Sequence, residues 1–202
     1  MPLQNRVTPF GDIVALAGRG LMMGNRGILH DEGRRIVRCW QVRRWIACRT
    51  EFRGRHRTIM LPRSYTELFF LDEATALSAG HRPCAECRHV DYQRFLTSWR
   101  SRFGKPVSAD IIDARLERDR VAGRKKRTYP DNLAALPDGT YVALDGTAWL
   151  VWGSELLAWT DRGYTHRRRR SARRDVEVLT PRSTVAVLAD GYRPAVHPTA
   201  AI

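Results

Sequence analysis

The sequence contains no uninterrupted apolar segment close to the ~20 residues that a membrane-spanning helix needs. Near the N-terminus, Arg6, Asp12 and Arg19 interrupt any apolar core of a secretory signal. Cysteine is scarce as well: there are four, two of them at metal-ligand spacing, which fits a reducing compartment better than a disulfide framework. We therefore expect a cytoplasmic protein that does not span a membrane.

Several common catalytic motifs are also missing. The glycine-rich phosphate loops of P-loop and Rossmann proteins are absent, and so is the serine-centred elbow of many hydrolases. Lysine is limited to Lys105, Lys125 and Lys126, yet the formal net charge is +14 because arginine is abundant. Such an excess is typical of proteins that bind a polyanion. We expect a nucleic-acid partner, with DNA favoured over RNA or an acidic protein.

The basic residues are clustered along the chain, and two of the clusters provide the predicted phosphate contacts. Arginine suits this role because its guanidinium group forms charge-assisted, often bidentate hydrogen bonds. Trp40, Trp45 or Tyr65 could add stacking on unpaired bases. The predicted nucleic-acid-binding residues are Arg43, Arg44, Arg49, Arg53, Arg55, Arg57, Arg124, Lys125, Lys126 and Arg127.

The hydrophobic pattern predicts an α+β fold: a small antiparallel sheet with a zinc corner and helices, followed by a β-meander. Residues 1–27 read as an arm or loop region, 28–104 as the zinc-binding α+β region, 105–135 as a helix and basic linker, and 136–202 as a β-rich region. In the first sheet, the expected strands are a hairpin over 28–40, then 45–52, 57–61 and 68–71. Helices are expected at 72–79, 92–103 and 108–121. Strands at 141–144, 149–152 and 156–159 form the meander, with a further strand at 176–179.

Two segments of the chain are similar to each other. Residues 77–83 and 188–194 each follow a predicted strand and helix, and each contains Gly-x-Arg-Pro. The second copy has Ala195 and Pro198 where the first has Cys84 and Cys87. We interpret this as a repeated strand–helix–Gly-x-Arg-Pro unit in which only the first copy can hold a metal.

Cys84 and Cys87 form a C-x-x-C pair on a turn that begins with proline, so both thiolates can bind one tetrahedral Zn²⁺. Cys48, at the end of an apolar strand, is the expected third ligand. For the fourth we favour His30, because a neighbouring hairpin strand would place it close to Cys48. The alternatives left open are Cys39, His56 and His81.

Residues 69–88, which run from an aromatic strand through an Ala-rich helix to the C-x-x-C corner, resemble the Ada-type zinc domain of bacterial methyl-phosphotriester repair proteins. With Ile46–Arg49 included, the resemblance covers residues ~45–90 and implies DNA binding through one Zn²⁺ held by four cysteines. The methyl-accepting cysteine would fall on Cys48. Its Cys-x-x-x-Cys partner is replaced by Phe52, which gives a less anionic site suited to a structural metal. The whole chain also resembles uncharacterised bacterial proteins.

An enzymatic alternative begins at Pro2. Methionine is usually removed before proline, and the resulting secondary amine could attack the aldehydic carbon of an abasic sugar, as in a DNA glycosylase/AP lyase. Glu51, Glu67 or Asp72 would then move the proton. Thiolate methyl transfer at Cys48 is a further route. Our main prediction is a zinc-containing, basic DNA-binding protein of the repair or processing type.

Overall fold

The structure is a computed structural model that describes residues 1–54, 58–104, 108–171 and 174–201. Within these ranges the chain forms two six-stranded sheets, a two-stranded ribbon and four α-helices. The predicted α+β class is therefore confirmed. In the described ranges no helix combines the length and the hydrophobicity that crossing a bilayer would require.

The first sheet is larger than expected and mixed in direction. Its strand order is β2-β1-β5-β3-β4-β6, with parallel pairing between β1 and β5 and between β4 and β6. The strands are β1 (Gln4–Val7), β2 (Ile13–Ala15), β3 (Met22–Asn25), β4 (Ile46–Arg49), β5 (Leu68–Phe70) and β6 (Arg82–Pro83).

Residues 1–27, expected to be an arm, supply three of these strands, and β3 lies between β5 and β4. Gly24 explains part of the close packing there. A Cβ atom on Gly24 would lie 2.3 Å from the carbonyl oxygen of Ile46, so only glycine lets the two strands pair at this point. The sequence predicted a loop region with short extended pieces here, because Met22–Asn25 has no alternating pattern that would indicate a sheet strand.

In the described residues, two elements expected in this sheet, the hairpin over 28–40 and the strand at 57–61, do not form. Between residues 28 and 40, pairing is limited to one bridge, from His30 to Ile36. Arg34 has a positive φ of 60° and the arginine-rich segment after it is largely exposed, so there is little apolar surface to hold a second strand. The described part of the segment 57–61 forms turns, with Met60 at φ 55°.

The helices lie close to their expected positions. They are α1 (Glu73–Ser78), α2 (His89–Phe103), α3 (Ala109–Arg120) and α4 (Arg182–Ala189). The apolar side of α2 packs against α4 and the turn after it, with Phe95 edge-on to Tyr192 at 5.4 Å between ring centroids. Ser108 caps α3 as predicted, accepting a hydrogen bond from the backbone N–H of Ile111.

The second sheet is antiparallel throughout, in the order β13-β12-β11-β10-β14-β9. It contains the predicted meander β10–β11–β12, which β13 extends. The ribbon of β7 (Val121–Ala122) and β8 (Lys125–Lys126) follows α3 directly. The strands of the second sheet are β9 (Tyr129–Asn132), β10 (Tyr141–Leu144), β11 (Thr147–Trp152), β12 (Glu155–Thr160), β13 (Gly163–Arg169) and β14 (Asp175–Val178).

Helix α1 follows β5 and packs against strands of both sheets, β3, β4 and β5 in the first and β10 in the second. Asp72 caps it by accepting the backbone N–H of Thr75 at 2.8 Å, and its other oxygen accepts from Tyr164 Oη at 2.6 Å and from the backbone N–H of His197 at 2.9 Å. These bonds fix α1 against β13 and the C-terminal segment. They also fix the turn that follows α1, which carries the cysteine pair.

The two similar segments form similar turns at the ends of α1 and α4. Gly80 and Gly191 both have positive φ, 91° and 97°. The backbone N–H of each glycine donates to the carbonyl of the residue three positions earlier. The backbone N–H of the next residue, His81 or Tyr192, donates to the carbonyl of the residue five positions earlier. After the turn the two segments differ. In the first, Arg82–Pro83 forms β6 and pairs with β4, whereas the second continues without a strand.

Candidate metal centre

Strand pairing brings the cysteine pair to Cys48. Strand β6 runs parallel to β4, and the backbone N–H of Cys84 donates to the carbonyl of Ala47 at 2.9 Å, so Cys84 lies beside Cys48. The chain then turns tightly, with the N–H of Arg88 donating to the carbonyl of Cys84 at 3.2 Å, and α2 begins directly after it. This turn brings Cys87 close to Cys48 and Cys84.

The three sulfur atoms of Cys48, Cys84 and Cys87 lie within 4.8 Å of one another, and all three residues are buried. A tetrahedral Zn²⁺ with Zn–S bonds of about 2.3 Å holds its sulfurs about 3.8 Å apart, so this donor set fits a zinc ion with small adjustments. The cluster could therefore hold a metal ion. Thiolates also favour zinc over magnesium or calcium.

The electrostatics of the cluster show what a cation would change. Hydrogen bonds from the thiols of Cys48 and Cys87 lower the pKa of Cys84 to about 2. The same contacts, with burial, raise the pKa of Cys48 far above its ordinary value. A divalent cation would supply the positive charge that allows all three to ionise.

Two buried ion pairs hold this corner in place. Arg82, in β6, donates to both carboxylate oxygens of Asp113 on α3, each at 2.8 Å. Arg88, which directly follows Cys87, contacts Glu73 of α1 at 2.8 Å. Because all four side chains are 3% exposed or less, the residues on both sides of the cysteine turn are fixed to helices. The donor set is thus preorganised.

The cysteines form part of the wall of a cavity of about 450 Å³. Met23 and Phe69 belong to its apolar lining, and Phe52 packs against the cysteine cluster. Carboxylates reach it from Glu67 and Glu86, and Arg49 lies among its polar residues. Glu67 is buried, and its Oε2 accepts the backbone N–H of Met60 at 2.8 Å. The metal position is therefore next to a space that can admit another molecule.

The structure does not bring His30 to the cysteines. Its two ring nitrogens are hydrogen-bonded elsewhere, to Thr66 Oγ1 at 2.6 Å and to the carbonyl of Leu61 at 3.1 Å. Within the described ranges, the metal-ligating group consists of the three cysteines, and no fourth ligand joins it.

The alternative fourth ligands are also placed away from this group or cannot be assessed. Cys39 is exposed at another site. His81 is fully buried, with its ring 4.6 Å from that of Phe70 and 5.4 Å from that of Trp45. His56 lies outside the described residues.

The residues predicted for catalysis are separated from one another. Pro2 is exposed before β1, whereas Cys48 is on β4, three strands away in the sheet. At about 4.8 Å per strand this is about 14 Å. Glu51 is exposed, and Asp72 is the helix cap described above. Of this set, Glu67 is the residue that lines the metal-centre cavity.

The predicted nucleic-acid-binding residues divide into groups. Arg43 pairs with Glu117 at 2.5 Å and Arg44 with Asp110 at 3.2 Å, so acidic groups of α3 offset their charge. Exposed basic side chains remain at the metal centre and at the β7–β8 ribbon; they are Arg49, Arg53, Arg124, Lys125 and Arg127. The side chain of Lys126 turns inward. Arg55 and Arg57 lie outside the described residues.

Sequence reasoning missed the supporting role of Asp113. A signal was present, because Asp113, Leu116 and Arg120 follow one another at three- and four-residue steps and share one side of α3. Charged residues on the buried side of a helix need partners, and Arg82 provides one for Asp113.

Comparison of this chain with protein-family models, with curated proteins and with solved structures finds no match. The resemblance to the Ada-type zinc domain stays a prediction. The geometry of the cysteine cluster and the charges around it are the basis for assigning a function.

Proposed function

We propose that this chain is a zinc-containing nucleic-acid-binding protein, directed at DNA and of the repair or processing type. The observation that carries the proposal is a hydrogen bond from the backbone N–H of Arg49 to Cys87 Sγ at 3.4 Å. This bond joins the start of a basic segment to the metal centre. Zinc and phosphate contact would therefore depend on each other.

Arg49 and Arg53 are suited to phosphate contact. Both are exposed, and in the described ranges neither forms an ion pair, in contrast to Arg43 and Arg44. The guanidinium carbon of Arg53 lies 5.0 Å from the centroid of Phe52, which packs on the cysteine cluster. The metal centre therefore supports both arginines, one through its backbone and one through an aromatic ring.

Cys48, Cys84 and Cys87 would hold the zinc ion. Bound there, the ion would cross-link β4 to the turn between β6 and α2, two segments that are far apart along the chain. The resemblance of residues 69–88 to a DNA-binding zinc domain supports the same function.

The first test measures DNA affinity against salt concentration. Each Arg–phosphate contact releases counterions, so Arg49→Gln and Arg53→Gln should each reduce the slope of log affinity against log salt by about 1. Arg162→Gln is the control: Arg162 is also exposed and lies in the β12–β13 turn of the other sheet. Equal effects of all three variants, or DNA binding independent of salt, would contradict the proposal.

The second test links DNA binding to the metal. The purified protein should contain about one zinc ion per chain by elemental analysis. Cys48→Ser should reduce both zinc content and DNA affinity, whereas Cys39→Ser, which changes an exposed cysteine outside the cluster, should change neither. Full DNA affinity in zinc-free Cys48→Ser protein would separate the two functions and reject the coupling.

The cavity favours a second candidate at the same place, hydrolysis of a bound nucleic acid. A zinc ion with three protein ligands and an open position supplies Lewis-acid chemistry. Glu67, which is buried in the cavity wall and accepts the backbone N–H of Met60, would move the proton in this reaction. Glu67→Gln should then abolish turnover and leave DNA affinity unchanged. Borohydride trapping on abasic DNA tests the separate Pro2 route.

A further inference from the structure

A second cavity, of about 250 Å³, shares no lining residue with the metal-centre cavity. It is formed where the segment after β3, the segment before β4, the end of α3 and the β7–β8 ribbon meet. Five cationic side chains line it, and Asp12 is the one carboxylate in its lining. The five cations are Arg26, Arg120, Arg124, Lys125 and Lys126.

Two of these cations, Arg26 and Arg120, stack on the ring of Trp45. Trp45 has the guanidinium carbon of Arg26 at 4.3 Å from its ring and that of Arg120 at 3.8 Å. Both arginines are 2% exposed, and Trp45 is 4% exposed. The stacking orients both guanidinium groups and leaves their N–H edges available for other partners.

The hydrogen bonds of these cations are incomplete. Arg26 uses Nη1 to donate to the carbonyl of Gly11 at 3.0 Å, but its Nε and Nη2 are buried without a partner. Arg120 donates to the carbonyls of Gly80 and Arg43, and its Nε has no partner. A buried charged donor left unpaired is unfavourable, so unpartnered N–H groups here indicate a missing acceptor.

The acceptors that are present carry no charge. Lys126 Nζ donates to the carbonyls of Pro9 and Ser78 at 2.6 and 2.7 Å. Within the part of the chain that the structure describes, none of Arg26, Arg120 and Lys126 has a carboxylate within ion-pair distance. Asp12 acts electrostatically on Arg26 and Lys126, and Asp113 and Glu117 act on Arg120, so the protein compensates the positive charge only in part.

The pKa values of Arg26, Arg120 and Lys126 agree with positive charge that the protein does not fully compensate. Burial lowers the pKa of Arg26 to about 10 and that of Arg120 to about 9. Burial, with the neighbouring charge of Arg26, also lowers the pKa of Lys126 well below its ordinary value. An anion in the cavity would reverse these shifts, because it favours the charged form of each group.

We propose that this cavity binds a phosphate group, carried either by a small phosphorylated molecule or by the end of a nucleic-acid strand. A phosphate offers several acceptor oxygens and up to two charges to Arg26, Arg120 and the partly buried Lys126, whereas a carboxylate offers one charge. The cavity is smaller than the 300–1,000 Å³ or so of sites for drug-sized ligands, so it fits a phosphate and its ester linkage. Trp40, partly exposed in the lining, is placed to contact the group attached to the phosphate.

The test titrates the zinc-loaded protein with inorganic phosphate and follows thermal stability and tryptophan fluorescence, with sodium chloride at matched ionic strength as the control. Phosphate should raise the unfolding temperature in a saturable way. A nucleoside monophosphate and a pair of oligonucleotides with and without a 5′-phosphate then distinguish the two sources. Identical responses to phosphate and chloride would overturn the proposal.

Arg26→Gln should weaken phosphate binding at least about tenfold, since it removes a charged donor from the cavity. Because Arg26 is buried, the exposed variant Lys125→Gln provides a second measure and should weaken binding about two- to threefold by removing one charge at the rim. Arg162→Gln should have no effect. Wild-type phosphate affinity in both Arg26→Gln and Lys125→Gln would overturn the proposal. Zinc content, measured in each variant, separates this outcome from a failure of the metal centre.

Discussion

The buried ion pair between Arg82 and Asp113 gives the sharpest stability prediction. Asp113→Asn keeps the size of the side chain but leaves the Arg82 guanidinium buried without a counter-charge. The two 2.8 Å hydrogen bonds and the 3% and 2% exposure of the side chains place this pair in the fully buried class. Breaking such a pair by removing one partner destabilises a protein by about 3–5 kcal/mol.

For a chain of this size, each kcal/mol lost from the free energy of unfolding lowers the unfolding temperature by about 2–4 °C. The expected decrease in unfolding temperature is therefore about 6–20 °C. The measurement is urea and thermal unfolding of the zinc-loaded protein, followed by circular dichroism. Arg44→Gln is the matched control, because Arg44 reaches Asp113 at 3.9 Å but is 63% exposed. Its effect should stay within about 1 kcal/mol.

A second variant distinguishes the effect of the unpaired charge on stability from the effect of altered side-chain packing. The double substitution Arg82→Met with Asp113→Leu removes both charges, so it should recover most of the stability that Asp113→Asn loses. Since Arg82 lies two residues before Cys84, Asp113→Asn should also lose zinc to a chelator faster than the wild type. A loss below about 1 kcal/mol for Asp113→Asn would refute the argument that this pair fixes the metal corner.

Two further predictions concern buried polar groups. Burial and the charges of Arg26 and Arg120 hold the pKa of His81 well below its ordinary value. The contribution of neutral His81 to stability is therefore complete above pH ~6.5, the ordinary pKa that applies in the unfolded chain. As the pH falls below that value, the free energy of unfolding decreases by up to about 1.4 kcal/mol per pH unit. His81→Phe should therefore flatten the dependence of the unfolding free energy on pH between about 6.5 and 5, and an unchanged slope would show that His81 is not its source. Asp72→Ala removes a helix cap together with the acceptor for Tyr164, so it should destabilise by about 3 kcal/mol in urea unfolding. Asp175→Ala, at an exposed position of β14, is its control, and equal losses in the two variants would contradict the role of Asp72.

Much of the local structure was predictable from short-range patterns. Asp72 before an Ala-rich segment and Gly80 after it define α1, because capping and positive φ are local properties. The spacing of Cys84 and Cys87 predicted that both would point to one place, and Cys48 was predicted from the end of an apolar strand. The two antiparallel hairpins of the meander were likewise predictable, since their turns are short.

Pairing between distant segments was not predictable in the same way. The parallel contact of β1 with β5 joins residues 6 and 69, and nothing in the pattern of either strand specifies the other. His30 was expected beside Cys48 because a hairpin was expected there. The chain instead places Met23 opposite Cys48, and His30 bonds to Thr66.

The amino-acid sequence by itself determined the cysteine pair, its third partner Cys48 and the excess of positive charge. Only the tertiary structure decided which charges face outward. Arg26 and Lys126 belong to segments that read as exposed, yet both line one cavity with the buried Arg120. The physical reason is that a charge is buried or exposed according to the elements that pack over it, and these come from parts of the chain that local patterns do not connect.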